Sequence, residues 1–399
     1  MGLSSFGRYL AAYVAFDLAS ELQSVAVAWQ VYAIRHSAFD LGVVGLTLFA
    51  PSFLLAPITG LVADRVDRRA IVAAGALAEC VISVALILSW DRRGAGALAL
   101  VLGVLLIAGV ARAFVFPAEQ SLLPSIVASD VYTRATARSS VLREAVRIVG
   151  PAAGGVLVAF GPLPAYGSAV VLGLAGAALV PFVTLLPSAA RPDRRDGSRL
   201  RDALAGLRYV ASRPVLSGAI SLDLFAVLFG GATALLPVYA TSVLHAGAAG
   251  FGALRAAPAV GSALCAFALA RRPIDRGAGP RLLAAVACFG VATVVFGVST
   301  SFWLSLLALA CVGAADMVSV VVREGIVQLG TPDEMRGRVS AVEGVFIVAS
   351  NELGEFESGM LAALIGAVPT VVAGGLATLA VTAIWAWRNR PLRTADRFV

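Results

Sequence analysis

The chain is organised as twelve apolar runs, at about 9–34, 41–63, 70–90, 97–117, 139–160, 164–186, 215–241, 249–270, 280–299, 302–322, 340–365 and 369–387. Each is long enough to carry an α-helix across a hydrocarbon layer about 30 Å thick. No water reaches backbone N–H and C=O groups in that layer. A helix pairs them all internally and is the form such a run takes. Composition agrees: 59% of the residues are apolar and 14% charged, against about 25% charged in a soluble domain. A cytosolic enzyme, a secreted disulfide scaffold and a disordered chain are excluded. The expected fold is an all-α polytopic membrane protein, with twelve transmembrane helices in two six-helix pseudo-symmetric bundles and the lipid bilayer as its first partner.

The charged residues orient those helices. The formal net charge is +7, and all 31 basic residues are arginine. They flank apolar runs rather than gathering in one patch, which fits helix orientation and not nucleic-acid binding. Counted by alternate loops, nearly all of the loop arginines fall on one side. That side holds both termini and the central linker, which are expected in the cytoplasm beneath a bacterial inner membrane. The linker contains Arg191, Arg194, Arg195, Arg199, Arg201, Arg208 and Arg213. Leu200, Leu204 and Leu207 recur there at helical spacing, so an amphipathic helix on the membrane surface is expected. Trp29, Trp303, Trp385 and Trp387 fall near run ends, as interfacial belts do. The four cysteines lie inside runs without CxxC spacing, and His36 and His245 sit between runs. No metal site and no cofactor is expected. The first run is too long for a signal peptide and belongs to the fold.

The two halves are related. Asp17 and Asp223 each begin an Asp-Leu pair, Tyr32 and Tyr239 each sit in Val-Tyr-Ala, and Pro51 and Pro258 each follow alanine, all at nearly one spacing. That spacing indicates a duplicated six-helix unit inserted twice with the same orientation. The expected division is 1–187 as an N-terminal bundle, 188–213 as a cytoplasmic linker with its amphipathic helix, and 214–399 as a C-terminal bundle.

Ionisable groups inside a bilayer cost about 2.5–3.5 kcal/mol each on insertion scales, so their placement is informative. Spans one, four, seven and ten hold Asp17 and Glu21, Arg112, Asp223, and Asp316. Spans two, five, eight and eleven hold Glu144, Arg147, Arg255, Glu343, Glu352 and Glu355, while the remaining four hold only Glu79 away from their ends. A period of three in span number makes one helix of each triplet central, and the polar central helices are expected to enclose a water-filled cavity.

This pattern resembles the major facilitator superfamily, whose cavity is lined by those same four helices. After span two, Gly60-Leu-Val-Ala-Asp64-Arg65-Val-Asp67-Arg68-Arg69 is similar to the family's cytoplasmic loop signature, with Asp67 at the usual glycine and the final basic pair one place early. The resemblance implies a cytoplasmic gate, with Asp64 against the positive start of span eleven; the alternative is a purely topological arginine cluster. In span five, Gly150-Pro151-Ala152-Ala153-Gly154-Gly155 is similar to the core of the antiporter signature, although Val146 stands where the family has glycine. The alternative there is ordinary small-residue packing. Ser221-Leu-Asp-Leu-Phe-Ala-Val, Thr331-Pro-Asp-Glu-Met-Arg-Gly-Arg-Val and Ser350-Asn-Glu-Leu-Gly-Glu-Phe-Glu-Ser-Gly resemble the enterobactin-exporter-like branch.

The resemblance implies a secondary transporter that exports a small amphipathic molecule, such as a siderophore or drug, against inward proton flow, and acts as a monomer. Candidate proton carriers are Asp17, Glu21 and Asp223; Asp17 and Glu21 share a helix face. Arg112 and Asp316 hold comparable positions and could pair across the cavity, although a static pair is an equal use for them. Asn351, Glu352 and Glu355 either line the pathway with Glu144, Arg147 and Glu343 or pair with neighbouring arginines. An ATP-driven pump is excluded, because a chain without lysine has no Walker A lysine. A membrane-embedded enzyme lacks a nucleophile with its base. An importer, a uniporter and a non-transporting sensor on the same fold remain as alternatives.

Overall fold

A computed structural model describes residues 5–128, 131–186, 199–272, 274 and 276–396. Helices are joined by short turns, with no strand among the described residues. The first six are α1 (Ser5–Arg35), α2 (Ala38–Arg65), α3 (Arg68–Ser89), α4 (Ala95–Ile126), α5 (Tyr132–Ala159) and α6 (Pro162–Leu179). A linker helix, α7 (Arg199–Ser212), precedes α8 (Pro214–Phe229). This helix breaks at Gly230-Gly231 and resumes as a 3₁₀ turn (Ala232–Leu235), the single turn α9 (Leu236–Val238) and a π turn (Tyr239–Val243). Then come α10 (Gly247–Arg271), α11 (Ala278–Val298), α12 (Phe302–Leu329), α13 (Asp333–Ile365), α14 (Ala367–Arg388) and the terminal turn α15 (Arg390–Arg393).

Counting α8 with its continuation as one, twelve of these are membrane-length. Ten stretches are long and apolar enough to cross a bilayer by length and composition alone. The other two, α5 and α13, are 28 and 33 residues long and fall short only in apolarity. Each is the fifth helix of its half, and each carries arginines and glutamates at intervals along its length. The two polar helices therefore occupy the same place in the repeat.

By backbone proximity the chain forms two compact units, Met1–Arg194 with Gly247–Ala256, and Arg195–Ala246 with Ala257–Val399. Helix α10 thus begins in the first unit and continues in the second. Within the first unit α1 packs on α5 and α6, α3 on α4 and α6, and α2 on α4. Ala12, Ala15, Ala19 and Ala26 make up much of the buried face of α1, and small residues let backbones approach where hydrophobic driving force between helices is absent. Within the second unit α11 packs on α12 and α14, and α8 on α13 and α14. The repeat shows in backbone geometry too. His36 (φ 54°) and His245 (φ 50°) are the non-glycine residues with positive φ among those described, and each follows the first span of its half. A left-handed residue there turns the chain out of the helix, with His36 N–H donating to the Tyr32 carbonyl at 2.7 Å.

Helix α7 forms, and one face of it packs on α13 and α8. Its packed face is Gly206, Tyr209 and Val210: Val210 joins a core with Leu216, Ile220, Val327 and Val339, and Tyr209 donates to the Gly330 carbonyl at 3.5 Å. Leu207 is exposed, and the side chains of Leu200 and Leu204 lie outside the described residues. The tryptophans divide. Trp303 and Trp387 are 77% and 81% exposed, as interfacial residues are. Trp385 instead donates to the Ser221 hydroxyl at 3.1 Å, and Trp29 stacks on Phe251 with ring centroids 5.1 Å apart.

A close crossing in the second unit joins α10 to α12. A Cβ built on Gly261 would lie 1.8 Å from the Ala310 carbonyl oxygen, and one on Gly313 would lie 1.9 Å from that of Pro258. Gly103 of α4 has nothing within 4 Å. Gly261→Val is expected to destabilise by about 1–3 kcal/mol through overpacking and Gly103→Val to change stability little. Thermal unfolding of the purified protein in detergent checks both.

Candidate functional site

In the first unit a ladder of polar side chains runs between helices that are otherwise apolar. Glu79 of α3, 1% exposed, pairs with Arg112 of α4 at 2.9 Å. Arg112 also donates to Gln23 Oε1 at 3.2 Å, and Gln23 donates on to the Ser83 hydroxyl at 3.0 Å. Two helical turns along α1, Gln30 donates to the Ser89 hydroxyl at 3.0 Å and accepts from the Tyr166 hydroxyl at 2.6 Å. Each of these side chains thus has a polar partner, as a low-dielectric interior favours, although Glu79 Oε2 accepts no hydrogen bond among the described residues. Within its own unit, Arg112 has Glu79 and Gln23 as partners. Glu79, which stands alone in the sequence pattern, is half of a buried ion pair.

Asp17 and Glu21 lie half-buried on one face of α1. Tyr13 stands one turn before Asp17 on α1, close enough for the two side chains to interact, and the Arg143 guanidinium of α5 lies 5.3 Å from the centre of the Tyr13 ring. Arg112 and Arg143 supply positive charge near Asp17, and Arg255, Arg112 and Arg147 supply it near Glu21. The motif in α5 explains how the helices come so close. A Cβ on Gly150 would lie 2.6 Å from Glu21 Cβ, one on Gly154 would lie 3.0 Å from Val25 Cβ, and one on Gly155 would lie 2.4 Å from the Gly252 carbonyl. The three glycines let α5 press against α1 at the level of Glu21 and against the start of α10. Pro151 lies between them, inside the helix.

The second unit gathers three charges that the sequence leaves apart. Asp223 of α8, Arg323 of α12 and Glu343 of α13 are 7%, 4% and 7% exposed. Arg323 bonds Asp223 at 3.3 Å and also pairs with Glu343, and Ser319 reaches Asp223 at 3.5 Å. One guanidinium therefore answers two carboxylates. Arg323 is a residue that span limits conceal: the apolar run ends at 322, whereas α12 continues to Leu329. Glu119 is missed for the same reason, because the fourth run ends at 117 and α4 runs on to Ile126.

Asp316 of α12 and Glu352 and Glu355 of α13 are half-buried, and Asn351 and Arg147 are exposed. The side chain of Glu144 lies outside the described residues. Along α8, Phe225 stacks on Phe229 with centroids 6.2 Å apart and meets Trp385 edge-on at 5.5 Å.

The arginine loop between α2 and α3 acts as a brace within its own unit. Arg68 donates to the Ser121 carbonyl at 2.9 Å and the Ser125 hydroxyl at 2.6 Å, at the end of α4. Arg69 reaches the Val183 carbonyl at 3.1 Å and chelates Asp67. Asp67 caps α3 by accepting from the Arg69 backbone N–H at 2.9 Å. Arg65 is exposed. Gly60 and Asp64 fall on the last turns of α2, and beyond that placement they lie outside the described residues.

Nothing in either cluster offers a nucleophile beside a base. Residues 5–397 match the family described as transmembrane secretion effector. The chain is 26% identical over 380 residues to the enterobactin exporter EntS of Citrobacter koseri, covering 90% of this chain and 86% of that protein. The same figures hold for enterobactin exporter EntS of Escherichia coli O81. Among solved structures, a bacterial homologue of the iron transporter ferroportin in an inward-facing state superposes with a TM-score of 0.69 at 16% identity, over 96% of this chain and 99% of that one. A D-xylose-proton symporter does so with a TM-score of 0.69 at 12% identity, over 98% and 97%. At those identities the structural likeness speaks for the fold alone.

Two measurements probe the clusters. Glu79→Gln leaves the Arg112 charge short of its partner and is expected to lower stability by about 3 kcal/mol, whereas Glu79→Gln with Arg112→Met costs less than the single change; equilibrium unfolding of the purified protein decides. At the loop, hydrogen bonds from Arg69 hold the Asp67 carboxyl below the usual carboxylate range. A depressed folded value means the cap is fully in place above about pH 4 and weakens as pH falls through that lower value. Asp67→Asn should remove this acid-side dependence, so proteolysis rates of the two proteins at the loop should converge as the medium is acidified.

Proposed function

Because the chain belongs to the transmembrane secretion effector family of the major facilitator superfamily, and so is a transporter and not an enzyme, we propose that it exports a small amphipathic molecule in exchange for protons. Alternating access of the two halves provides the movement. A proton crossing about 100 mV releases about 2.3 kcal/mol, enough to drive export without ATP. We place the protein in a bacterial inner membrane as a monomer, with termini and linker in the cytoplasm, on the strength of its arginine asymmetry.

The observation that carries this reading is the setting of Asp17 and Glu21. Both are half-buried on one face of α1, Asp17 lies one turn beyond Tyr13, and Glu21 is pressed against Gly150 of the antiporter-like motif. A carboxylate so placed can change partners as a proton arrives. Asp223, locked with Arg323 and Glu343, fits the static use better and acts in this reading as a positioning residue. The relatives named above are enterobactin exporters. The stacked Phe225 and Phe229 with Trp385 suit a substrate with an aromatic part, and enterobactin is the first substrate to try. Asp64 would hold the cytoplasmic side closed through the start of α13.

The test is export from proteoliposomes under an imposed pH gradient, with enterobactin and cationic dyes as probes. Asp17→Asn and Glu21→Gln should each abolish gradient-driven export while equilibrium exchange of the probe continues. Gradient-driven export that persists in both variants would eliminate antiport through α1 and leave an importer or uniporter in its place.

A further inference from the structure

Helices α4 and α12 occupy the same place in the two halves, and their charges are inverted. Arg112 and Glu119 stand two turns apart on α4; Asp316 and Arg323 stand two turns apart on α12. The two cross-repeat pairs, Arg112 with Asp316 and Glu119 with Arg323, have the same separation in the chain. In the second unit the arginine at this position is paired with Asp223 and Glu343. In the first unit the position holds a carboxylate instead. Glu119 Oε1 is buried and meets no hydrogen-bond partner among the described residues. It lines a cavity of about 10 Å³ together with Tyr9 and Tyr13, and with Ala12, Val72 and Val183 as apolar wall. That is room for a single water with three polar neighbours.

We infer that Glu119 is a second proton-holding group of the first unit, exchanging one proton with Asp17 through the Tyr13 hydroxyl and a water in this cavity. The inference rests on the antiport reading above and extends it. The groups facing Glu119 are Tyr9, Tyr13 and Asp17 from α1 and Arg143 from α5, with Tyr132 of α5 beside Tyr9. Arg68 of α3 reaches α4 close by, at the Ser121 carbonyl. Two carboxylates thus share the field of Arg143, and one proton between them balances the set. A proton leaving Glu119 passes to the water, which gives one of its own to the Tyr13 oxygen. Tyr13 releases its hydroxyl proton to the Asp17 carboxylate. Water and phenol are regenerated, Glu119 has lost one proton and Asp17 has gained it. The second unit has no carboxylate at the position of Glu119, because Arg323 stands there.

The test combines infrared difference spectroscopy of the full chain, which reads protonated carboxyl groups as pH is stepped, with export of enterobactin or ethidium from proteoliposomes. Glu119→Gln should lose part of the protonated-carboxyl band and lose gradient-driven export, while equilibrium exchange of the probe is retained. A complete band with export lost would show a structural role and overturn the inference. A diminished band with export intact would overturn it as well, as would no change in either. Should Glu119→Gln fail to fold, Tyr13→Phe decides: gradient-driven export must be lost with the carboxyl band kept, and export at the wild-type rate overturns the relay. If wild-type protein shows no gradient-driven export, or Asp17→Asn leaves it unchanged, the antiport reading has failed. The infrared band, which needs no transported probe, still decides whether Glu119 holds a proton.

Discussion

The architecture depends on keeping charge inside a layer that rejects it. An unpaired ion in hydrocarbon is costly enough to unfold a helix pair or draw water in. Each unit meets this with arginine set between helices: Arg112 with Glu79 in the first, Arg323 with Asp223 and Glu343 in the second. These pairs tie third helix to fourth, and first to fourth to fifth. The polar ladder of Gln23, Ser83, Gln30, Ser89 and Tyr166 adds bonds that lipid cannot supply. Such contacts fix which faces of α1, α3, α4 and α6 meet, since any rotation would strand a polar group.

Close packing is the second requirement, and it follows from the first. Side-chain hydrogen bonds of about 3 Å need helix axes near one another, and apolar lipid gives helices little reason to approach. Glycine and alanine remove the obstacle. Gly150, Gly154 and Gly155 sit where α5 crosses α1 and the start of α10, and Gly261 and Gly313 where α10 crosses α12. The antiporter-like motif is in this sense a packing device placed at Glu21. Its glycines bring the backbone of α5 within reach of a titratable side chain, so packing and coupling are not competing explanations for it.

The two halves share a plan but not a charge set. Inverting the signs on α4 and α12 leaves the second unit with a guanidinium between two carboxylates and the first with carboxylates beside tyrosines. A carboxylate beside a phenol can trade one proton for another at little cost. A duplicated scaffold can in this way give one half a fixed strut and the other a mobile proton, while both keep the same helix crossings.

The number of membrane helices, the duplication, the arginine loop and the candidacy of Asp17, Glu21, Asp223 and Glu343 were all legible in the sequence. Each follows from local chemistry: run length against bilayer thickness, or a charge where none is expected. Glu119 and Arg323 escaped because an apolar run marks where hydrocarbon ends, while a helix extends as far as its hydrogen bonds continue. The pairing of Glu79 with Arg112 escaped for another reason. Spacing places a residue on a helix face, but which helix that face meets depends on packing among six helices at once. The sequence by itself therefore determined which groups had to be sheltered. Only the tertiary structure decided who shelters whom, because a partner is chosen by distances of about 3 Å between side chains far apart in the chain.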